Sequence, residues 1–288
     1  FNNAQDTLSG SVESHQIYVN LADYEVGDKF TNAGSQTTCP SAYGYSFAGG
    51  STEDGGGHFL FEEGMTQQSM WLDFLIGWLT GAPKWTAAIK DCQAPKAILF
   101  ETGGGNPPLQ SQIRSITIAR IGQLVILAMP TEVTTMAGRR LRATVMNELG
   151  DWAQHIVLAG YSNGYAGYVT TPEEYLVQQY EGGHTLHGRW TLPAYQQIVS
   201  RLSKALDTNS PVTSSTVYDD WRGKSFEKTL ESDDISVTPK GSNYGDSLSS
   251  ATSAYSKDDT VPAQFWPTNP HYTPREFVTA VRRRTNIC

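Results

Sequence analysis

Runs of apolar residues divide the middle of the chain into a strand, a helix and a second strand. The apolar run at 124–129 predicts a buried strand, and a helix is predicted from about Thr134 to Leu149. A second buried strand is predicted at 156–159. Strand, helix and strand in this order indicate an α/β or layered α+β fold. Because functional groups of such folds gather just past the strand ends, Glu132 and the loop at 160–171 are candidates for a site.

Three further segments have the patterns of helices. Large apolar residues recur at helical spacing between 71 and 79, and we expect this aromatic face to lie in the core, with contact to lipid as the alternative. Thr171 and Glu174 form a capping box, which predicts a helix from Pro172 to about Glu181. Another amphipathic helix is predicted at 192–206.

The last fifth of the chain differs in composition from the rest. Residues 231–264 are rich in Ser, Asp and Thr, and short apolar stretches that follow at 265–266 and 277–281 are typical of strands. A complete β sandwich needs roughly a hundred residues, and fewer remain here. We therefore predict one region at 1–230 and the first strands of a β domain at 231–288, with the chain stopping inside a domain.

Composition and charge describe a globular protein and exclude some partners. Hydrophobic residues make up 39% of the sequence, charged residues 17%, and the net charge is −8. This balance argues against a nucleic-acid partner, which requires a basic surface, and offers no attraction to anionic membranes. No signal peptide or membrane span is expected, since the longest apolar run, at 124–130, is too short. A chain that begins at Phe1 is expected to be processed or a fragment.

Cysteine and histidine give few firm candidates. A Cys39–Cys92 disulfide is possible in an oxidising compartment, with Cys288 free or paired elsewhere. His184 and His187 have a spacing compatible with a metal site on a helix. They follow two glycines and have no third ligand nearby, so we interpret them as surface or packing residues.

The segment Gly160–Gly164 resembles a nucleophile elbow, with Ser162 at the nucleophile position. That motif requires a strand, a sharp turn and a helix, followed by the acid and histidine of a triad. A loop rich in tyrosine and glycine is predicted instead of the helix. The sequence therefore disfavours a serine hydrolase.

Glu132 and a group of tyrosines are the strongest candidates that the residues alone provide. Glu132 follows a wholly apolar strand, which would carry it to the rim of a buried region. Four tyrosines occur within sixteen residues and could equally be core or rim aromatics: Tyr165, Tyr168, Tyr175 and Tyr180. These residues predict a site but do not identify a reaction.

Three segments together resemble neutral ceramidases over roughly residues 1–210. They are Gly44–Gly50, Glu132–Arg142 and Tyr165–Gly182, in the order and spacing of that family. The resemblance implies a hydrolase that uses one zinc ion to cleave the N-acyl amide bond of ceramide to sphingosine and a fatty acid. Zinc binds carboxylate oxygen and imidazole readily, and a phenol once the metal lowers its pKa.

Particular roles follow from this resemblance. Glu132 and Tyr168 match two ligands of the catalytic zinc, and Tyr180 matches a tyrosine that hydrogen-bonds the amide oxygen or the tetrahedral intermediate. Cys39 and Cys92 match positions that form a disulfide in some members. The implied partners are ceramide or a related N-acyl sphingolipid and, transiently, a membrane surface. The implied location is outside the cell or at its surface.

The resemblance also implies that the chain is incomplete as an enzyme. The remaining zinc ligands of the family are histidines, and they lie with its active-site serine, arginine and proton-transferring histidine in the N-terminal half. The chain resembles the C-terminal half of the catalytic domain, followed by the start of an immunoglobulin-like domain. An N-terminal segment of the same protein is therefore expected as a partner. The segment His184–Gly188 departs from the family pattern, and we expect it to alter the rim of the pocket.

Two alternatives remain open at this point. A non-catalytic extracellular binding or structural protein could retain the scaffold without the chemistry. A zinc amidase for another N-acyl substrate would share the site and differ only in the pocket.

Overall fold

The computed structural model describes residues 7–218 and 220, apart from 54, 81–84 and 106–107. The described residues belong to one compact unit. The strands among them are β1 (Val12–Asn20), β2 (Glu25–Val26), β3 (Gln36–Thr37), β4 (Ala42–Gly44), β5 (Gly50–Ser51), β6 (Gly55–Gly56), β7 (Ile98–Glu101), β8 (Ile113–Ile121), β9 (Leu124–Ala128), β10 (Glu132–Val133), β11 (His155–Ala159) and β12 (Tyr168–Val169). The helices are α1 (Asp28–Thr31), α2 (Tyr45–Gly49), α3 (Met70–Thr80), α4 (Ala87–Gln93), α5 (Thr135–Leu149), α6 (Pro172–Val177), α7 (Tyr180–Gly183) and α8 (Thr191–Thr208).

The largest sheet has the strand order β1-β8-β9-β11. β1, β8 and β9 pair antiparallel, and a turn at Gly122, with φ of 57°, joins β8 to β9. β11 pairs parallel to β9 after α5 crosses between them. The predicted strand, helix and strand are confirmed, and the fold is a mixture of helices and strands.

The main core lies between this sheet and the helices α5 and α8. Every second residue of β8 and β9 points inward, and Ile116, Ile118, Val125 and Leu127 are completely buried. Side chains of α5 and α8 complete the same cluster. The outward residues of β9 are half-buried, so the predicted buried strand is completely buried on one face only. Truncating one of the inward residues to alanine would cost about 2–5 kcal/mol.

A smaller core surrounds the antiparallel pair β4-β7, with α2 and α3 packed on it. A disulfide joins Cys39, just before β4, to Cys92 in α4, which confirms the pairing that the resemblance implied. Gly188 lies against this bridge, and a Cβ at Gly188 would approach Cys39 Sγ to 2.7 Å. The disulfide thus anchors the segment that precedes α8.

The aromatic face of α3 was expected in the core, and this expectation is wrong. Trp71, Phe74 and Trp78 have 62%, 69% and 74% of their surface exposed. Leu72 is buried on the opposite side of the helix and joins the smaller core. Helical spacing shows which residues share a face but does not show which face meets the protein.

The predicted helix from Pro172 to about Glu181 is two helices. The capping box at its start is confirmed. Gln178 then adopts a left-handed conformation with φ of 54°, which ends α6, and α7 begins at Tyr180. The expectation that Tyr180 lies two turns inside one continuous helix is therefore wrong.

Two predictions concern spans and further domains. Among the described residues, no helix is both long and apolar enough to cross a membrane. The predicted start of an immunoglobulin-like domain at 231–288 lies outside the described residues.

Candidate active site

Two short parallel strands place Glu132 directly opposite Tyr168. β10 and β12 pair so that these two residues are in register. The Glu132 N–H donates to the Gly167 carbonyl at 3.0 Å, and the Thr134 N–H donates to the Val169 carbonyl at 3.1 Å. The backbone therefore brings together two of the residues that the sequence singled out.

Three phenol groups surround the carboxylate of Glu132. The Tyr165 hydroxyl donates to Glu132 Oε1 at 2.5 Å, and the hydroxyls of Tyr161 and Tyr168 also contact this carboxylate. Partial burial opposes ionisation of Glu132, but these hydrogen bonds outweigh it and hold its pKa below the ordinary value. Burial and the same carboxylate raise the pKa of Tyr165 and of Tyr168, so both phenols stay protonated donors.

Tyr180 reaches this group from the start of α7. Its N–H donates to Glu63 Oε1 at 3.2 Å, and its ring meets the ring of Tyr168 edge-on, with centroids 5.7 Å apart. Burial and, to a smaller degree, Glu132 raise the pKa of Tyr180. Tyr180 is thus a neutral hydrogen-bond donor beside the Glu132–Tyr168 pair.

His184, predicted to be a surface or packing residue, is buried and packs among the rings of the site. It is only 4% exposed, and neither ring nitrogen has a hydrogen-bond partner among the described residues. Burial, and then Lys96, lower the pKa of His184 to about 4, against an opposing contribution from Glu132. Five aromatic rings have centroids within 6 Å of its own: Tyr43, Phe47, Tyr165, Tyr168 and Tyr180.

Gly167 allows His184 to approach the strand that carries Tyr168. Gly167 has φ of 70°, and a Cβ there would come within 2.9 Å of His184 Cδ2. The signal that could have found His184 is its spacing from Tyr180, since four residues make about one helical turn. The His184 N–H indeed donates to the Tyr180 carbonyl at 3.0 Å.

One carboxylate connects the helices that follow Glu132 and Tyr168. Thr134 caps α5 and Thr171 caps α6. Glu174 Oε2 accepts from the Thr171 N–H at 2.8 Å and from the Thr134 hydroxyl at 2.7 Å. Because both helix starts share this oxygen, the ends of β10 and β12 are held together.

A cavity of about 370 Å³ opens beside the pair. Tyr168, Thr134 and Glu174 contribute to its wall, together with Gln179 and Glu181 from the start of α7. Its lining is largely polar. A group that contacts Tyr168 could therefore also meet hydrogen-bonding partners in this cavity.

The donors at Glu132 suit a zinc ion only in part. A carboxylate and a phenol oxygen in contact are acceptable zinc ligands, but structural and catalytic sites use at least three protein ligands. In the part of the chain that the structure describes, no three His, Cys, Asp or Glu residues are close enough to hold a metal. Among the described residues, Glu132 and Tyr168 thus supply fewer ligands than a zinc site requires.

Two other candidates take no part in the site. His187 is buried, and its Nδ1 hydrogen-bonds the Cys39 carbonyl at 2.9 Å, so the structure confirms a packing role and not a surface one. The Ser162 hydroxyl donates to the Ala159 carbonyl, and the next element after Ser162 is the strand β12 and not a helix. The arrangement is not a nucleophile elbow.

Comparisons with known proteins agree on one family. Residues 1–197 match the model of the neutral/alkaline non-lysosomal ceramidase, N-terminal, family. The chain is 37% identical over 286 residues to the neutral ceramidase of Pseudomonas aeruginosa, covering 96% of this chain and 41% of that protein. It is 38% identical over 262 residues to neutral ceramidase 1 of Arabidopsis thaliana, covering 86% of this chain and 33% of the relative.

Solved structures give the same result. The fold is similar to the crystal structure of neutral ceramidase from Pseudomonas aeruginosa, with a TM-score of 0.64 and 31% identity over 86% of this chain and 36% of the other. A structure described as ceramidase complexed with C2 gives a TM-score of 0.67 and 38% identity, covering 86% of this chain and 38% of the other. The chain thus spans about two fifths or less of the length of these relatives.

Proposed function

The chain belongs to the neutral/alkaline non-lysosomal ceramidase family, and we propose that it provides part of the active site of an enzyme that hydrolyses the N-acyl amide bond of ceramide. The products would be sphingosine and a fatty acid. The observation that supports this proposal most directly is the pairing of Glu132 with Tyr168. The Glu132 carboxylate is hydrogen-bonded by three phenols, of which Tyr168 is one. Such a cluster is costly for mere packing, since an ionised carboxylate is taken partly out of water.

We propose that Glu132 and Tyr168 are two ligands of a catalytic zinc ion, with imidazoles from the rest of the protein as the others. When bound, zinc polarises the amide carbonyl and supplies hydroxide near neutral pH. Tyr165 orients the Glu132 carboxylate through its hydrogen bond and keeps it ionised. These two effects prepare the carboxylate to act as a metal ligand.

Tyr180 has a separate role in this proposal. Its protonated hydroxyl would donate to the amide oxygen as negative charge develops there in the transition state. Its position beside Tyr168 places it near the proposed metal ligands, and the hydrogen bond from its N–H to Glu63 fixes the start of α7. A hydrogen bond of this kind lowers the barrier because it strengthens as the charge grows.

Further proposals concern the parts of the protein beyond this site and its location. We propose that the chain is the C-terminal part of the catalytic domain, followed by the start of an immunoglobulin-like domain at 231–288. An N-terminal segment would then complete the site. The Cys39–Cys92 disulfide favours a secreted or cell-surface protein, since such bonds persist in oxidising compartments. A lipid substrate also requires at least transient contact with a membrane surface.

The test uses the intact protein and measures bound zinc together with ceramide hydrolysis. We expect about one zinc per molecule, and we expect Glu132→Ala to abolish both zinc binding and hydrolysis. Tyr168→Phe should weaken zinc binding. The matched control is Glu173→Ala, which removes an exposed carboxylate paired with Arg140 at 2.9 Å and should change neither quantity.

Two results would contradict the proposal. An intact protein without zinc, or a Glu132→Ala variant with full activity, would favour a non-catalytic relative. If short N-acyl amides are hydrolysed and ceramides are not, the site is that of an amidase for another substrate.

A further inference from the structure

One face of α3 is used neither by the cores nor by the candidate site. The term α3 face is used here for the side chains of Met70, Trp71, Phe74 and Trp78, which are 88%, 62%, 69% and 74% exposed. At about 100° per residue these four positions fall within one arc of about 100° on the helix surface. Large exposed apolar patches of this kind mark sites of interaction.

The α3 face carries no charge. Asp73 is the one ionisable residue of the helix, and its carboxylate turns inward, where it accepts hydrogen bonds from the Tyr45 hydroxyl and from Gln68 Nε2. The whole chain has a net charge of −8. An uncharged face on an acidic protein suits a neutral surface better than an anionic one, which the rest of the chain would repel.

The chemistry of the face also favours an interface between water and lipid. Tryptophan combines a large apolar ring with one N–H donor, and it is enriched where membranes meet water. Phenylalanine and methionine on the same side add apolar surface that can enter the acyl boundary.

Packed residues under the α3 face connect it to the candidate site. Under the helix, Leu72, Leu75 and Leu79 line an apolar cavity of about 220 Å³, whose other walls include Ala48 and Phe100. Phe47, next to Ala48, packs on Tyr180 and His184. Phe100 packs on Tyr43, which also contacts His184. Residues that adjoin the cavity are therefore direct neighbours of the site residues.

We propose that the α3 face docks on the surface of a lipid bilayer with zwitterionic headgroups. The inference rests on the proposed function, because only a membrane-borne substrate requires an enzyme to meet a bilayer. Docking by α3 would bring the apolar cavity and the adjoining site residues to the surface that holds the substrate. Another part of the same protein and a second copy of this chain are the competing occupants of the face.

The experiment uses the intact protein and vesicles of phosphatidylcholine, with and without ceramide. The test variant is Phe74→Gln with Trp78→Gln, and the control is Met146→Gln with Val157→Gln, which removes two exposed apolar residues elsewhere. We expect the test variant to bind vesicles about tenfold more weakly, a difference of about 1.4 kcal/mol. Its hydrolysis of ceramide in vesicles should fall in parallel, while hydrolysis of a soluble short-chain ceramide stays near the wild-type rate.

Three results would overturn the inference. The test variant could bind vesicles as tightly as the wild type and the control. Binding could require phosphatidylserine in the vesicles, which would indicate an anionic partner. Trp78 could be shielded from acrylamide in the protein without vesicles, shown by a quenchable fraction of the fluorescence that does not fall in a Trp78→Gln variant. The oligomeric state would then distinguish a second copy from another part of the same protein.

Failure of the proposed function gives a different pattern. In that case the wild type hydrolyses neither the soluble nor the vesicle ceramide, whatever its vesicle binding. The α3 inference fails when soluble ceramide is hydrolysed normally and the test variant has no selective defect on vesicles.

Discussion

Two aromatic regions of this molecule have similar composition and opposite environments. Around Glu132, phenol rings and an imidazole pack together, and three of the phenol hydroxyls contact the carboxylate. On α3, Trp71, Phe74 and Trp78 extend into solvent with no charged group among them. Aromatic density alone does not separate a site from a surface. The two regions differ in whether the aromatic side chains contact a charged group.

The difference has an energetic meaning. At Glu132, hydrogen bonds offset the cost of taking a charge out of water, so each phenol is tied to a particular position. On α3, no hydrogen bond among the described residues fixes the position of the rings, and their apolar surface is exposed to water. We therefore expect substitutions to affect chemistry and stability in the first region and association in the second.

Beyond the loss of activity expected for Glu132→Ala, the largest expected effect is that of Tyr180→Phe on catalysis. Loss of one hydrogen bond to a developing oxyanion should lower kcat by about 10²–10³, with KM nearly unchanged. Steady-state kinetics on the intact protein measures both. Tyr24→Phe removes a hydroxyl that accepts from Gln197, which is not among the site residues, and should leave kcat within about twofold. A normal kcat for Tyr180→Phe would place Tyr180 with the packing aromatics.

The disulfide is expected to have the next largest effect, this time on stability. Cys39→Ser with Cys92→Ser opens a loop between residues 53 positions apart and should lower the free energy of unfolding by about 2–4 kcal/mol. Urea denaturation under non-reducing conditions measures this loss. Equal stability of variant and wild type would mean that packing alone holds α4 against the segment before β4.

The buried imidazole of His187 makes the stability of the folded chain depend on pH, whereas the α3 face has no ionisable group. Burial, and then Arg114, lower the pKa of His187 from 6.5 to about 3, against an opposing hydrogen bond to Cys39. Protonation therefore favours the unfolded chain, and stability that is complete above pH 6.5 declines as the pH falls toward 3.

At pH 5 the lowered pKa of His187 has reduced the free energy of unfolding by about 2 kcal/mol, because one pKa unit corresponds to 1.36 kcal/mol. We expect His187→Leu to show a smaller loss of unfolding free energy between pH 7 and pH 5 than the wild type. Urea denaturation at the two pH values gives the comparison. Parallel losses in the two proteins would exclude His187 as a source of the pH dependence.

A smaller effect is expected for the hydroxyl of Tyr165. Tyr165→Phe removes a hydrogen bond to the Glu132 carboxylate. Since the tyrosine is partly exposed, the loss of unfolding free energy should be about 1 kcal/mol. Tyr161→Phe serves as the comparison, and its more exposed hydroxyl should matter less. If Tyr161→Phe is the more destabilising of the two, the carboxylate is oriented differently from the arrangement described above.

The smallest effect belongs to the α3 face. Trp78→Gln should change the unfolding free energy by no more than about 0.5 kcal/mol, because its side chain has few neighbours to lose. Leu72→Ala on the inner side of the same helix should cost about 2 kcal/mol or more. Thermal or urea unfolding decides between them. A large destabilisation by Trp78→Gln would mean that other parts of the protein cover this face.

Local patterns in the sequence predicted the elements that depend on local physics. The apolar run at 124–129 and the helix that Thr134 caps depend on spacing and capping, and both are confirmed. The capping box at Thr171 is confirmed for the same reason. The Cys39–Cys92 pairing came from the family resemblance, since counting cysteines left it open.

Features that depend on distant parts of the chain could not be predicted in this way. His184 is buried by the rings of Tyr43 and Phe47, more than a hundred residues away in sequence. The break between α6 and α7 depends on a left-handed Gln178, a conformation more often adopted by glycine. The exposure of the α3 face depends on which side of the helix meets the smaller core. In each case the missing information is tertiary.

The oxygen of Glu174 that two helix caps share has a consequence for assembly. It fixes the backbone that follows Glu132 and Tyr168 through hydrogen bonds made within this chain, so the loss of conformational entropy there needs no further ligand. A segment that contributes imidazoles would therefore meet a receptor with its shape already set. Its tightness of association would depend on its own ordering and much less on rearrangement here.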